Sequence, residues 1–506
     1  MAYKVYPVTK TAFECDDYRV RINGEEVALN AARVSAHPFN RRWPGHQRQV
    51  EQSEPISFLS MALDAPITIE VIPTKATDLS DFAIRPASAG LKHRVTESGS
   101  IEIDLQKPQY FTVEAYGRSR ALHVFADPMP QYEDLDLNDG NILYFGAGVH
   151  EMGTIVLESN QTLFLDEGAV VYACIKAFDA HNITIKGRGI LDNSHNVEKV
   201  LFEANVEAND TAVKNVKRQH TVLLEYCTNV KIEGITIRDS LVYNIRPMAC
   251  RGLDIRNVKI IGCWRYNSDG IDMHNCEDVV IEDCFIRTFD DSICVKGFDC
   301  YYEGDLEKAV WEAMHYNGGN YENFRNVRVR RCVIWNDWGK ALEIGAETRA
   351  EEICDVVFED CDVIHVTHGV LDVANVDYAD VHDITYRDIR IELDNVIPKP
   401  THQLNDQHVY ELPTRDYVPP VICARAIYHY EYSAGGQRRG RNRDLLFEDI
   451  QIMGRHKPIF KFEGHSAEDT TRDVIIRNLT LNGKKITDPK DYEMQIDEFC
   501  RNIVVE

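Results

Sequence analysis

Apolar and polar residues alternate along most of this chain, in short runs bounded by turn residues. Tyr18-Arg-Val-Arg-Ile22, Ile67-Thr-Ile-Glu-Val-Ile72 and Ile101-Glu-Ile-Asp-Leu105 put every second residue on one face, the period of a half-buried strand. Residues 1–127 therefore read as an N-terminal β-sandwich domain. Asp127-Pro-Met-Pro-Gln131 cannot continue a regular element and marks the boundary, with 128–139 as a linker.

Beyond the linker the alternation becomes a repeat. Asn182-Ile-Thr-Ile-Lys-Gly, Asn229-Val-Lys-Ile-Glu-Gly, Asp278-Val-Val-Ile-Glu-Asp, Asn326-Val-Arg-Val-Arg-Arg, Asp355-Val-Val-Phe-Glu-Asp, Asp383-Ile-Thr-Tyr-Arg-Asp, Asp444-Leu-Leu-Phe-Glu-Asp and Asp473-Val-Ile-Ile-Arg-Asn share one form. A unit this short cannot bury its inner face alone and must stack on its neighbours. The fold expected for 140–506 is an all-β, right-handed parallel β-helix. Two stretches interrupt it, Gly297 to Arg325 and Asn395 to Arg443, and are expected to form loops that wall a binding groove. The second carries Arg438, Arg439, Arg441 and Arg443, read as a solvated loop.

Composition narrows the function. At 506 residues the chain exceeds one compact core. Its 56 basic against 81 acidic residues give a net charge of −25, which argues against nucleic acid or an anionic membrane as partner. No apolar run approaches the length of a membrane span. The N-terminus MAYKVYPVTK has no secretory signal pattern, so a cytoplasmic location is expected. The 14 cysteines, among them Cys263, Cys284, Cys332 and Cys361, are then read as reduced and buried. No CxxC pair or Cys/His ligand spacing reads as a structural zinc site.

The densest chemical signal is Tyr266-Asn-Ser-Asp-Gly-Ile-Asp272 followed by Arg287-Thr-Phe-Asp-Asp-Ser-Ile-Cys-Val-Lys-Gly297. Asp290 and Asp291 follow Asp269 by 21 and 22 residues, one coil. Adjacent coils lie about 4.8 Å apart, so the three carboxylates should converge on one outer face. Like charges this close raise at least one pKa, leaving an acid beside ionised bases, the division of labour that glycoside hydrolysis needs. The plainer alternative is that these residues form hydrogen-bonded ladders at turns.

Ser240-Leu-Val-Tyr-Asn-Ile-Arg-Pro247, Asn267-Ser-Asp269, Asp290-Asp291 and Lys296-Gly297 resemble, in order and spacing, the core of the polygalacturonase-like glycoside hydrolases of family 28. The dextranase/isopullulanase family 49 is a second resemblance, through Trp335-Asn-Asp-Trp-Gly-Lys340 and Asp362-Val-Ile-His365. The family 28 resemblance implies single-displacement, inverting hydrolysis with no metal or other cofactor. It matches Asp290 to the general acid, Asp269 and Asp291 to the pair that activates water, and Asn267 to a hydrogen-bonding partner of the cluster or substrate.

Polygalacturonases carry a Gly-His-Gly where this chain has Gly339-Lys340-Ala-Leu-Glu343, and an Arg-Ile-Lys where it has His368-Gly-Val-Leu-Asp372. Asp372 would repel a uronate. Arg246, Lys296, Lys340 and Arg349 could compensate, but Glu343, Glu347 and Asp372 lie among them. The expected substrate is therefore a neutral α-linked oligosaccharide, with Glu343, Glu347 and Asp372 accepting from hydroxyls and Trp338, Trp335, Trp311 and Tyr301 offering rings to stack on. Without export, imported fragments and exo cleavage are expected. A uronic-acid hydrolase, a calcium-dependent lyase and a non-catalytic sugar-binding β-helix remain as alternatives. The polar, aromatic stretch Asn40 to Gln49 is expected to lean over the groove or to form a contact within a homo-oligomer.

Overall fold

The computed structural model of the protein describes residues 2–36, 50–130, 135–196, 220–298, 306–393, 402–403, 410–411, 418–429, 433 and 438–506. Asn40 to Gln49 and Tyr301 lie outside them.

The residues that open the eight repeats, from Asn182 to Asp473, all have φ between 52° and 57°. Left-handed backbone is costly for most side chains and least so for Asn and Asp, which bond to nearby groups. The repeat is thus a turn signal, and the turns stack. Asn229 Nδ2 donates to Asn182 Oδ1 (2.6 Å) and Asn502 Nδ2 to Asp473 Oδ1 (2.8 Å). Between turns run the strands, 30 of which, among the described residues, form one sheet wound into a parallel β-helix. Each coil places an apolar residue above that of the coil before, as in the column Val230, Leu253, Val279, Val327, Val356, Ile384, Leu445, Val474 and Ile503. Such columns fill the interior, and no coil could bury them alone.

The β-helix has three faces. One carries the strands Val222–Glu225, Ile245–Met248, Ile271–His274, Ile293–Lys296, Lys340–Ala346, Gly369–Asn375 and Ile422–Ala426. The last of these corrects the expected interruption between Asn395 and Arg443: a groove strand lies inside it. The first interruption holds a helix, Leu306–Met314, whose Val310 and Met314 pack on Met248 and Phe298. Arg438, Arg441 and Arg443 are ion-paired with Glu351 and Asp380 at the surface.

The N-terminal strands form sheets of six and five strands around Val20, Leu59, Ile69, Phe111 and Val124. Phe58, Tyr110 and Phe125 then pack on Phe285, Trp335 and Ile364 of a second β-helix face, with Phe125 and Phe285 ring centres 5.1 Å apart. This contact buries charge as well. Arg238 Nε donates to Asp192 (2.6 Å), Arg118 to Asp337 (2.8 Å), Lys259 to Asp127 (3.1 Å), and Arg85 pairs with Glu114 and Glu392. Ten of the 13 described cysteines are buried, and all 13 are free thiols.

Candidate active site

Outward-facing residues of the groove strands form columns, one residue per coil. One column runs Asp272, Cys294, Glu343, Asp372 and Cys423. Beside it, His274 pairs in register with Lys296, and Ala374 with Arg425. Charged groups therefore stack at strand spacing, and each must be neutralised by a neighbour.

Asp269 lies in the turn before Ile271–His274, and Asp290 and Asp291 in the turn before Ile293–Lys296. These turns stack through Gly270 N to Asp291 O (2.8 Å) and Ile271 N to Ser292 O (2.9 Å). A Cβ on residue 270 would stand 2.2 Å from Ser292 O, so the glycine is what permits the approach. As a result Asp269, Asp290 and Asp291 each bring a carboxylate oxygen within 4.8 Å of the others. The convergence inferred from one-coil spacing is present.

Backbone donors aim the carboxylates. Asp290 accepts from Asn267 N (3.2 Å) and Asp291 N (3.0 Å), and Asn336 and Thr288 hold its carbonyl, each at 2.6 Å. Asn267 thus acts through its main chain, in left-handed conformation at φ 54°. Asp291 Oδ1 accepts from Lys340 N (2.8 Å), and Gly339 lets that strand pass, since a Cβ there would lie 2.5 Å from Asp291 N.

The electrostatics separate the three acids. Burial, then the charge of Asp291, pushes Asp290 well above the usual carboxylate range. Burial, then Asp272 and Asp290, does the same to Asp269, whose Oδ1 is buried without a hydrogen-bond partner. Burial would also raise Asp291, but Lys340 and Lys296, and then a hydrogen bond from Glu343, outweigh it and hold Asp291 low. Burial and Asp291 raise Glu343 in turn, which suits it to give that hydrogen bond. One protonated acid beside one ionised carboxylate is the arrangement that general acid–base chemistry requires.

The remaining residues singled out from the sequence take different places. Lys296 is central, 3.2 Å from Asp272, 3.5 Å from Glu347, 3.8 Å from Asp269 and 3.9 Å from Asp291. Lys340 pairs with Glu343 and lies 3.4 Å from Asp372. Arg246 is farther out, against His220 (2.9 Å) and the Tyr243 ring, which also faces Lys296. Arg349 is buried against Asp377 (3.5 Å) and Phe298 O (2.7 Å). The tryptophans correct the expected stacking platform: Trp338 packs in the core on Phe289, and Trp335 is sealed under the N-terminal sheets beside Arg287 and His123. Trp311 is exposed and stacks on His315.

Two groups escaped the sequence reading. Asp272 was visible inside the motif, two residues beyond Gly270, as an outward strand position. Arg425, 3.0 Å from Asp372, was hidden by the insertion. It amends the expectation that Asp372 repels anions, because Asp372 is matched by Arg425 and Lys340 and held low by them against burial.

The model for Glycosyl hydrolases family 28 matches residues 141–401, just over half the chain. A "Probable polygalacturonase" of Vitis vinifera is 26% identical over 283 residues, covering 50% of this chain and 54% of that protein. A "Polygalacturonase" of Gossypium barbadense is 23% identical over 236 residues, covering 44% and 54%. The chain thus spans about half the length of the curated relatives it matches. Among solved structures, Dex49A from Penicillium minioluteum superposes with a TM-score of 0.54 at 14% identity, covering 97% of this chain and 96% of that one, a likeness of fold.

Proposed function

From the premise that the chain belongs to glycosyl hydrolases family 28, we propose that it hydrolyses α-linked oligosaccharides with Asp290 as general acid and Asp291 as the base that takes the proton from water, which Asp269 helps to position. The observation that carries this reading is the trio itself: oxygens of Asp269, Asp290 and Asp291 within 4.8 Å, Asp290 pushed up and Asp291 held down. Asp290 keeps a proton for the leaving oxygen, while Asp291 accepts one from water. Single displacement with inversion rests on the family resemblance. Inverting pairs ordinarily stand about 6.5–9.5 Å apart, wider than this cluster, so the anomer first released from an α-linked substrate, read by NMR, decides the point.

The ring bound beside the trio is neutral in this proposal. Lys296 faces Asp272, Asp291 and Glu347 besides the protonated Asp269, Lys340 faces Asp372 besides Glu343, and Arg425 is held by Asp372. A uronate would have to displace one of these carboxylates from a buried pair, which costs several kcal/mol, about 3–5 where the partner is left uncompensated. Oligogalacturonate hydrolysis is the second reading. It is favoured by the names of the curated relatives and by Arg425, a half-buried cation on the face that carries the trio.

Product release from neutral α-linked oligosaccharides and from oligogalacturonates, with Asp290→Asn as control, tests both. Cleavage of the neutral set, lost in the variant, is expected. Cleavage of oligogalacturonates alone would keep the mechanism and overturn the substrate, and equal activity in the variant would remove Asp290 as the acid.

A further inference from the structure

Cys354 and His382 are 28 residues apart in the chain and carry no metal-ligand spacing. The winding of the β-helix makes them neighbours: Cys354 pairs in register with His382, and Glu352 with Asp380. Glu352 and Cys354 are two residues apart on one strand and project to the same side. They lie on a different face from the catalytic carboxylates, and the Glu352 carboxylate, the Cys354 sulfur and a His382 ring nitrogen come within 4.8 Å of one another.

The histidine is what points to an ion. Its Nδ1 lies 2.7 Å from Asp383 Oδ2 and its Nε2 2.8 Å from Glu352 Oε1. Asp383 orients the ring through Nδ1, and a cation set between Nε2, the Cys354 sulfur and the Glu352 carboxylate would meet three ligand atoms. An outer carboxylate on the far nitrogen is how metal-binding histidines are oriented.

We infer that Glu352, Cys354 and His382 form a surface site for a divalent borderline metal ion of the zinc type, with water completing the shell. One sulfur, one nitrogen and one oxygen are ligands of that class, and a thiolate with a carboxylate neutralises a dication. Register also places Arg325 beside Cys354 and Arg443 beside His382. Both are engaged elsewhere, Arg325 by Glu277 (3.1 Å) and Arg443 by Asp380 (3.1 Å) and Asp444 (2.8 Å). Burial, then Glu352, pushes the free Cys354 thiol up to about 12. Loading therefore releases the thiol proton: the S–H bond breaks, an S–metal bond forms, and H⁺ goes to solvent without redox change. The ion would clip together two coils beside the turn, residues 376–379, that carries Asp377.

The full-length protein, stripped with a chelator and exchanged into metal-free buffer, is titrated with Co²⁺. One equivalent is expected to give a near-ultraviolet thiolate-to-cobalt band and tetrahedral visible bands, removed by Zn²⁺. Cys354→Ser should abolish the thiolate band, and His382→Gln should weaken binding at least tenfold. Cys500→Ser, at another half-buried thiol beside Asp497, should change neither. Zn²⁺ should raise the melting temperature of the wild type and not of Cys354→Ser. Absence of a saturable band, or its persistence in a Cys354→Ser protein with wild-type circular dichroism, overturns the site, as does its loss on Cys500→Ser. None of these readouts uses hydrolysis, and Asp290→Asn should retain the cobalt spectrum.

Discussion

The contact between the N-terminal sheets and the β-helix buries charge, as the groove does, and uses it in the opposite way. At the contact, carboxylates face guanidinium groups in matched sets: Asp337 with Arg118 and Arg287, Glu114 with Arg85 and His365. Burial would raise Asp337, but Arg287 and Arg118 outweigh it and hold it low. In the groove, carboxylates stack against one another, and Asp269 and Asp290 are pushed up. An acid held low stabilises the fold at neutral pH, whereas an acid pushed up takes a proton on folding and destabilises it there. The same residue type is structural in one region and a stored cost in the other, and the difference is the sign of its neighbours.

Neutralising isosteres should therefore have opposite effects in the two regions. Asp290→Asn is expected to lower turnover by about 10²–10⁴-fold, the usual contribution of a general acid, while raising the melting temperature. A variant that is inactive and less stable than wild type would break the comparison. Asp337→Asn is the converse. It leaves Arg118 and Arg287 buried without their carboxylate, and should cost about 3–5 kcal/mol in denaturant unfolding with turnover per folded molecule retained.

The pH dependence sharpens this. Burial would raise Glu114, but His365, Arg85 and Arg118 hold it at about 2; burial takes His365 down to about 4 against the pull of Glu114. Because His365 is neutral above about pH 4, the two guanidinium groups carry the effect on Glu114 at neutral pH. An unfolded histidine takes its proton near 6.5 and an unfolded glutamate near 4.5, so both contributions to stability are present at pH 7. They are lost as pH falls, His365 between about 6.5 and 4 and Glu114 between about 4.5 and 2. His368, also lowered to about 4 by burial and then Lys340, acts in the same direction. Activity should fall on the acid side as Asp291 gains a proton and on the alkaline side as Asp290 loses one. Melting temperature against pH should fall on the acid side, and Glu114→Gln should flatten its lower end.

How much of this was legible in the sequence follows from the coil. Asp269, Asp290 and Asp291 could be brought together on paper because no insertion separates their coils. The turn residues were legible because left-handed backbone selects Asn and Asp. Arg425 was not, because its coil is reached only across the insertion after Leu393. Trp335 was misassigned because its outward position is covered by the N-terminal sheets, and Trp338 because it lies past the end of the strand Val333–Asn336, where alternation no longer separates inside from outside. The contact charges were illegible for another reason: Arg238, Arg287 and Lys259 look in sequence like surface residues, and only the packed N-terminal sheets make them buried.

The smallest effect isolates burial from chemistry. Arg438 and Glu351 form a two-bond pair, 3.0 and 2.9 Å, of the same chemical type as Arg238 with Asp192, but both side chains are largely in solvent. Exposed pairs are screened and hold two flexible chains in one geometry, so Arg438→Ala should cost less than about 1 kcal/mol. A double-mutant cycle with Glu351→Ala should give a coupling that vanishes in high salt. The equivalent cycle at Arg238 and Asp192 should give a larger coupling, little changed by salt, because no solvent or ions reach that pair. Equal couplings in the two cycles would mean that the pairing itself, and not the exclusion of water by the N-terminal sheets, sets the energy of these contacts.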